Sequence, residues 1–184
     1  MRADVFGLAL TRLAPVIMTL GAIVALGAIV TQQPLLAADL ESLAARVQVL
    51  EDREDIRALI LAYGAAHDHR DYRTFAALFA TNGEWVGGLG SAKGPAAIFE
   101  LMNRTIGHDP KPNGSGTYHV MTNDQIEIDG DLASATTKWI YITPGPDGAP
   151  RPVFLGHYDD QFIREDGAWK FLRREAPADI PIPK

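Results

Sequence analysis

Apolar residues recur with helical spacing directly after residue 39. Leu40, Leu43, Val47 and Leu50 follow a heptad-like spacing with charged residues between them. This pattern predicts a short helix over residues 40–50 with a narrow apolar seam. Because two heptads are too few to define a coiled coil, we expect the helix to pack on the domain or on a second copy of the chain.

The helical pattern continues through DREDIRALILAYGAAHDH, residues 52–69, with Tyr63 and His67 in its apolar row and Asp68 directly after. Titratable groups on the buried face of a helix are either hydrogen-bonded core residues or the lining of a pocket. On an ideal helix Asp68 lies about 140° from Tyr63, at the edge of that face. The pattern by itself leaves both interpretations open.

Two shorter helices are predicted next. Asp71 has the character of an N-cap for YRTFAALFA, and Pro95 suits the first position of a helix that closes near Gly107. The apolar residues expected to be buried are Phe75, Leu78 and Phe79 in the first, and Ile98, Leu101, Met102 and Ile106 in the second. Between the two helices, EWV at 84–86 predicts a short strand.

After a loop at 108–116 the period changes from helical to alternating. Long stretches joined by turns predict four antiparallel strands: TYHVMTNDQIEI, ASATTKWIYIT, VFLGHYDDQFIR and AWKFLRREA. Helices first and strands afterwards indicate an α+β fold, with the helices gathered on one face of a bent, mainly antiparallel sheet. The sequence shows no repeat and no second domain.

The N-terminal 38 residues have the order of an export signal. Arg2 and Arg12 precede a stretch at 13–38 that contains no charged side chain. The apolar core at 13–30 is longer than the usual signal core and approaches a membrane-spanning length. We therefore expect a cleaved signal or a retained membrane anchor at 1–38, with a domain at 39–184 in the periplasm or on the outer face of the inner membrane. A buried N-terminal helix of a soluble protein is the alternative.

Composition excludes several classes of function. The formal net charge is -6 with no block of Lys or Arg, which argues against a nucleic-acid partner. The absence of cysteine excludes disulfides, thiolate nucleophiles and zinc held by cysteine. The glycine run at 87–90 does not have the context of a phosphate-binding loop. His67 and His69 point in different directions on a helix, so this pair does not predict a metal site.

The order of these elements resembles the SnoaL-like branch of the nuclear-transport-factor-2-like superfamily. The stretches that carry the resemblance are LEDREDIRALILAYGAAHDHRDYRTFAALFATNGEW, GPAAIFELM, YHVMTNDQIEIDGDLASATTKW and GHYDDQFIREDGAWKF. The family implies a cone-shaped roll with one deep pocket for a small hydrophobic molecule, and it often forms homodimers. Its members include dehydratases, polyketide cyclases, isomerases and epoxide hydrolases, as well as domains without catalysis, so the fold does not settle the function.

The resemblance to dehydratases of this family implies that Tyr63, Asp68 and His119 form the catalytic group. A histidine is suited to remove a proton beside a carbonyl, since its pKa lies near neutral pH. A carboxylate fixes its tautomer, and a buried tyrosine hydroxyl can donate to the oxygen where negative charge develops. No metal and no organic cofactor is required for this chemistry.

Five further residues are predicted to form the substrate-binding wall of the pocket. Trp85, Asn123 and Tyr141 are candidates from their positions in the pattern. Alternation along GHYDDQFIR puts Asp160 on the same strand face as Tyr158. If that face lies inward, Asp160 is buried and its pKa is raised.

The chain also departs from the dehydratase pattern. Those enzymes carry a second ionisable group on the strand after the first long one, where the nearest candidates here are Tyr141 and Thr143. Gly87 stands near the place of the isomerase carboxylate. The favoured function is a cofactor-free lyase or isomerase, and the alternative is a non-catalytic ligand-binding or assembly domain. Hydrolytic epoxide opening would need a second carboxylate, which only Asp160 could supply.

Overall fold

The computed structural model describes the backbone of residues 15–107 and 109–181, and within these ranges the side chains from residue 36 onward. The chain divides into two units, Met1–Gln48 and Val49–Lys184, and the second contains the whole sheet. The predicted signal or anchor at 1–38 lies almost entirely outside the described side chains. Among the helices of the described residues, none combines the length and the apolar character that crossing a membrane requires.

Three helices and seven strands form the described part of the chain. The helices are α1 (Pro15–Asp68), α2 (Tyr72–Ala77) and α3 (Pro95–Ile106). The strands are β1 (Phe79–Gly87), β2 (Gly90–Lys93), β3 (Tyr118–Asp129), β4 (Leu132–Pro144), β5 (Pro150–Glu165), β6 (Ala168–Ala176) and β7 (Ala178–Ile180). The prediction missed β2 and made β1 too short, because the glycines at 87–90 form a turn between these two strands.

The strands form one curved, unclosed sheet in the order β2-β1-β6-β5-β4-β3, and β7 pairs with β5. The β1–β6 pair is parallel, and the other pairs are antiparallel. The long hairpins β3–β4, β4–β5 and β5–β6 follow directly from the alternating stretches of the sequence. The predicted α+β fold is confirmed.

The predicted helices at 40–50 and 52–69 belong to the single helix α1. Ile56, Ile60 and Tyr63 on its apolar row are buried in the core, whereas Leu40 and Leu43 of the heptad-like seam are exposed. The contact of this seam with a second copy stays a prediction. Farther along α1, buried Asp52 accepts hydrogen bonds from Arg164 at 2.6 Å and from the Trp169 indole at 3.2 Å. These bonds tie α1 to β5 and β6.

The two short helices begin where the sequence predicts. Asp71 caps α2 by accepting a hydrogen bond from the backbone N–H of Thr74 at 3.1 Å, and Pro95 is the first residue of α3. Helix α2 ends at Ala77 rather than at 80, because the chain enters β1 at Phe79. The predicted apolar residues Phe75, Phe79, Ile98, Leu101 and Met102 are buried, and Leu78 and Ile106 are partly buried.

Two register shifts change which residues face inward. In β3 the shift lies between Thr122 and Gln125, where Asn123 has a φ of 55°. The inward residues are therefore His119 and Met121 before the shift, and Asp124, Ile126 and Ile128 after it. A β-bulge adds one residue to one strand and so reverses the alternation beyond it.

The second shift involves β6. Phe162 pairs with Phe171, but Gln161 pairs with Arg173, which leaves Leu172 as the extra residue. The buried positions of β6 are consequently Trp169, Phe171 and Arg174. Simple alternation from the first two would have turned Arg173 inward instead.

The guanidinium of Arg174 lies fully buried in the centre of the core. Its Nε and Nη2 donate to the two carboxylate oxygens of Asp160 at 2.7 and 2.6 Å. Its Cζ lies 4.0 Å from the ring centroids of Tyr63 and Tyr158 and 4.1 Å from that of Phe171. The inward orientation predicted for Asp160 is confirmed, but its partner Arg174 was not anticipated.

We expect Asp160→Asn to lower the free energy of unfolding by about 3–5 kcal/mol, because it leaves the Arg174 charge buried without a counterion. Urea unfolding followed by circular dichroism measures this change. The matched control is Asp159→Asn on the exposed face of the same strand, for which we expect a change within about 0.5 kcal/mol. The double variant Asp160→Leu/Arg174→Met should recover most of the loss. Equal stability of the two single variants would contradict the assigned role of the pair.

Candidate active site

An Asp–His pair joins the end of α1 to the first residues of β3. The Oδ1 of Asp68 lies 2.6 Å from the Nδ1 of His119, and its Oδ2 accepts the backbone N–H of the same histidine at 2.9 Å. A carboxylate can only accept, so Nδ1 carries the proton and Nε2 has a free lone pair. The two bonds fix both the tautomer and the orientation of the imidazole.

Local features bring the two partners together. Helix α1 ends at Asp68, where Arg70 adopts a left-handed φ of 55°, and the backbone N–H of Ser115 donates to the carbonyl of Asp68 at 2.9 Å. Gly64 lies one turn earlier, where an added Cβ would stand 2.6 Å from the end of the Met121 side chain and 3.5 Å from the Cβ of His119. The glycine that weakens the helix pattern therefore allows β3 to approach α1 closely.

Tyr63 is held in place by contacts from two strands. The indole N–H of Trp85 donates to its hydroxyl oxygen at 2.9 Å, and the Arg174 guanidinium lies against its ring. Burial raises the pKa of Tyr63, while the positive charge of Arg174 opposes that rise. The hydroxyl is thus protonated at neutral pH, and its hydrogen remains available to a group in the pocket.

His67 is the site residue that the sequence interpretation left out. Its ring lies edge-to-face against His119, with centroids 4.5 Å apart, and it also contacts Tyr72 and Phe75. Burial is the main cause that lowers the pKa of His67 to about 3, and the neighbouring His119 lowers it further. His67 in the folded chain is therefore neutral at neutral pH. Its place in the apolar row of α1, next to Asp68, was the available signal.

The described residues enclose a cavity of about 710 Å³ that these groups reach. Its wall includes Tyr63, His67, Trp85, Leu89, Ile106, His119, Trp139, Tyr141, Phe154 and Tyr158. Burial raises the pKa of Tyr158 well above its usual value. A volume of this size suits a small organic ligand, and the wall is mostly aromatic and aliphatic.

The predicted substrate-binding residues divide into two groups. Trp85, Tyr141 and Tyr158 line the cavity, whereas Asn123 and Asp160 do not. Asn123 is exposed because the bulge in β3 reverses the alternation after His119. Burial raises the pKa of Asp160, as expected, although Arg174 opposes the rise. Both of its oxygens bind Arg174, so Asp160 does not offer a free carboxylate for activating water.

Within the described residues, one cluster could hold a metal ion. It consists of His67, Asp68 and His119, whose ligand atoms lie within 4.8 Å of one another. The predicted divergence of His67 and His69 does not exclude this set, which uses His119 instead. Tetrahedral ligands about 2.0–2.1 Å from zinc lie about 3.3 Å apart, so the 2.6 Å contact between Asp68 and His119 would have to open. The geometry present is that of a hydrogen-bonded acid–base pair.

Sequence comparison connects the chain to a family of known proteins. The model of the SnoaL-like domain family matches residues 48–175. The gamma-hexachlorocyclohexane dehydrochlorinase of Sphingobium indicum is 26% identical over 140 residues, which cover 75% of this chain and 83% of the relative.

Solved structures show the same fold. A nuclear-transport-factor-2-like protein with a cystatin-like fold from Novosphingobium aromaticivorans is 30% identical, with a TM-score of 0.65 and coverage of 76% of this chain and 90% of the other. A provisionally assigned scytalone dehydratase from the same organism is 24% identical, with a TM-score of 0.59 and coverage of 71% and 86%. The second similarity supports the fold alone.

The lowered pKa of His67 predicts a dependence of stability on pH. Between pH 6.5 and about 3 the unfolded chain binds a proton at this histidine and the folded chain does not, so stability falls as the pH is lowered through this window. At pH 5 this group accounts for about 2 kcal/mol. We expect the loss of stability from pH 7.5 to pH 5, measured by urea unfolding, to be smaller by about that amount in His67→Phe. His69→Phe, at the exposed neighbour, should keep the wild-type dependence. An unchanged dependence in His67→Phe would contradict the neutral state of the folded ring.

Proposed function

The chain belongs to the SnoaL-like domain family, and on that premise we propose that it is a lyase that removes HX from a small hydrophobic molecule without a cofactor. The observation that carries the proposal is the 2.6 Å contact between Asp68 and His119 at the wall of a cavity that Tyr63 also reaches. The three side chains correspond to the base, its orienting carboxylate and an oxyanion donor.

The base is the Nε2 atom of His119. Asp68 holds the proton on Nδ1, so the lone pair of Nε2 is free to take a proton from a carbon next to an electron-withdrawing group. The imidazolium that forms is stabilised by the carboxylate, which need not itself become protonated. Tyr141, whose ring centroid lies 4.8 Å from that of His119, packs on the imidazole and helps to hold it in place.

Tyr63 binds the oxygen on which negative charge develops. Its hydroxyl accepts from Trp85 and can donate in turn, and the Arg174 cation lies against its ring. A donor with fixed orientation beside a buried positive charge stabilises an enolate more than it stabilises the neutral ketone. This preference for the charged state is what lowers the barrier to deprotonation.

Two further observations support elimination as the reaction class. The Sphingobium indicum relative is named as a dehydrochlorinase, an enzyme that removes HCl. The wall of the cavity is rich in aromatic side chains, which favours a compact, largely apolar substrate over a sugar or a nucleotide. Isomerisation by proton transfer uses the same base and the same oxyanion donor. It takes the place of elimination when the substrate has no leaving group.

A non-catalytic ligand-binding or assembly domain does not require an oriented acid–base pair at the cavity wall. The presence of this pair therefore favours an enzyme. Epoxide hydrolysis finds less support than elimination. Both oxygens of Asp160 are bound by Arg174, and Glu175, a carboxylate in the cavity wall, is paired with Arg173. Export and a homodimer remain predictions from the sequence and the resemblance.

We expect His119→Ala and Asp68→Asn to lower kcat by at least about 100-fold, since each removes part of the general base. Full-length protein is assayed with gamma-hexachlorocyclohexane, by chloride release, and with 3-hydroxycyclohexanone, by the ultraviolet absorbance of the enone product. The matched controls are His157→Ala and Asp179→Asn, because these residues form an exposed Asp–His pair with a separation of 2.9 Å. The controls should retain wild-type rates. Retained turnover in His119→Ala would contradict the assignment of the base.

Tyr63→Phe removes the hydroxyl but keeps the ring that packs on Arg174. We expect kcat for 3-hydroxycyclohexanone to fall about 100-fold with little change in KM, because the hydrogen bond strengthens only as the enolate forms. The rate with gamma-hexachlorocyclohexane should fall less, since that substrate has no carbonyl oxygen. Equal losses for both substrates would show that Tyr63 acts through packing alone.

A further inference from the structure

The cavity contains a second imidazole beside the proposed base. We infer that His67 is the hydrogen-bond donor for the leaving group, and that helix α1 thereby supplies the second imidazole or carboxylate of the site, which strand β4 does not. This inference rests on the proposed function, because a leaving group exists only if the reaction is an elimination.

Position is the first argument. The rings of His67 and His119 are in direct contact, with centroids 4.5 Å apart, and both line the same cavity. An elimination breaks bonds on two neighbouring carbons. In a syn elimination the proton and the leaving group depart from the same face, so the leaving group lies close to the base that takes the proton. The rings of His67 and Tyr63 are farther apart, with centroids separated by 6.4 Å.

The protonation state of the two histidines is the second argument. The carboxylate of Asp68 is bound to His119, and His67 lies instead among the rings of Tyr63, Tyr72 and Phe75. Two adjacent imidazolium ions would repel each other, so only the ring that is paired with Asp68 gains a proton during the reaction. His67 stays neutral and keeps one N–H, and a neutral imidazole can stabilise charge through its N–H without giving up its proton.

Tyr63, the donor that the proposed function places at the carbonyl oxygen, has a different task. The positive charge of Arg174 lies against the ring of Tyr63, so a developing enolate oxygen is best stabilised there. His67 is then left to bind the departing atom on the neighbouring carbon. On β4 the residue paired with His119 is Tyr141, which packs on that histidine.

The proposed step balances as follows. Nε2 of His119 takes the proton from carbon, the electrons of that bond form the new double bond, and the bond to the leaving group breaks with its electron pair. The N–H of His67 donates a hydrogen bond to the departing atom and is not transferred. Chloride leaves as the anion, and hydroxide takes a proton from the imidazolium of His119 to leave as water.

The test separates deprotonation from departure of the leaving group. Proton abstraction alone is measured as exchange of the α-protons of cyclohexanone in D2O by NMR, since this ketone has nothing to eliminate. Elimination is measured with 3-hydroxycyclohexanone and with 3-acetoxycyclohexanone, whose acetate departs more easily than hydroxide. All assays use the full-length chain.

In His67→Phe we expect kcat for 3-hydroxycyclohexanone to fall about 100-fold, as it does when an enzyme loses one donor to a developing anion. For 3-acetoxycyclohexanone kcat should fall about 10-fold or less, because acetate is a weaker base than hydroxide and its departure depends less on hydrogen bonding. Exchange with cyclohexanone should stay near the wild-type rate, which also shows that the variant is folded. His67→Gln, with an amide N–H, should recover part of the lost rate, and His69→Phe is the surface control.

Each of the other outcomes is decisive. If exchange and both eliminations fall equally in His67→Phe, the residue acts through His119 or through packing, and the inference is wrong. If elimination of hydroxide is unchanged, the inference is wrong although the proposed function stands. If the wild-type chain shows neither exchange nor elimination, the proposed function itself fails and the assignment of His67 fails with it.

Discussion

The arrangement of the site depends on one buried ion pair, that of Arg174 with Asp160. A guanidinium removed from water is tolerated only when a counterion balances its charge. Here Asp160 on β5 balances the charge and accepts two bonds, and the rings of Tyr63, Tyr158 and Phe171 cover the faces of the cation. Nη1 has no hydrogen-bond partner among the described residues. The pair links β5 to β6 and provides the surface on which Tyr63 rests. The position of the Tyr63 hydroxyl therefore depends on the Arg174 guanidinium, which packs on the ring, and on the Trp85 indole, which donates to the hydroxyl oxygen.

The same environment gives two neighbouring histidines different properties. His119 has the carboxylate of Asp68 on one nitrogen, whereas His67 lies among aromatic rings, and burial lowers its pKa to about 3. In the proposed reaction these chemically identical side chains, with centroids 4.5 Å apart, therefore act as a base and as a neutral donor.

Local rules account for most of the fold. The N-cap at Asp71, the proline at the start of α3, the apolar row of α1 and the long alternating strands were all evident, because each depends on residues close together in the chain. The interpretation was weakest where alternation broke down. Bulges in β3 and β6 turned Asn123 outward and Arg174 inward. Asparagine favours the left-handed φ that Asn123 adopts, but a single asparagine does not predict a bulge, and Leu172 in β6 gives no comparable signal. The strand β2 was missed for a similar reason, since its glycine-rich turn resembles a loop.

By itself the sequence determined the secondary structure, the family and a helix that turns polar side chains toward the interior. It did so because the period of apolar residues is a property of neighbouring positions. Only the tertiary structure decided which of these groups meet. Asp68 and His119 are 51 residues apart, and the pairing of Asp160 with Arg174 depends on the register of two strands. It also showed that His67 belongs to the site, because its ring meets that of His119 on strand β3 in the cavity. Such contacts depend on how whole elements pack, and packing is not encoded in any one stretch of the chain.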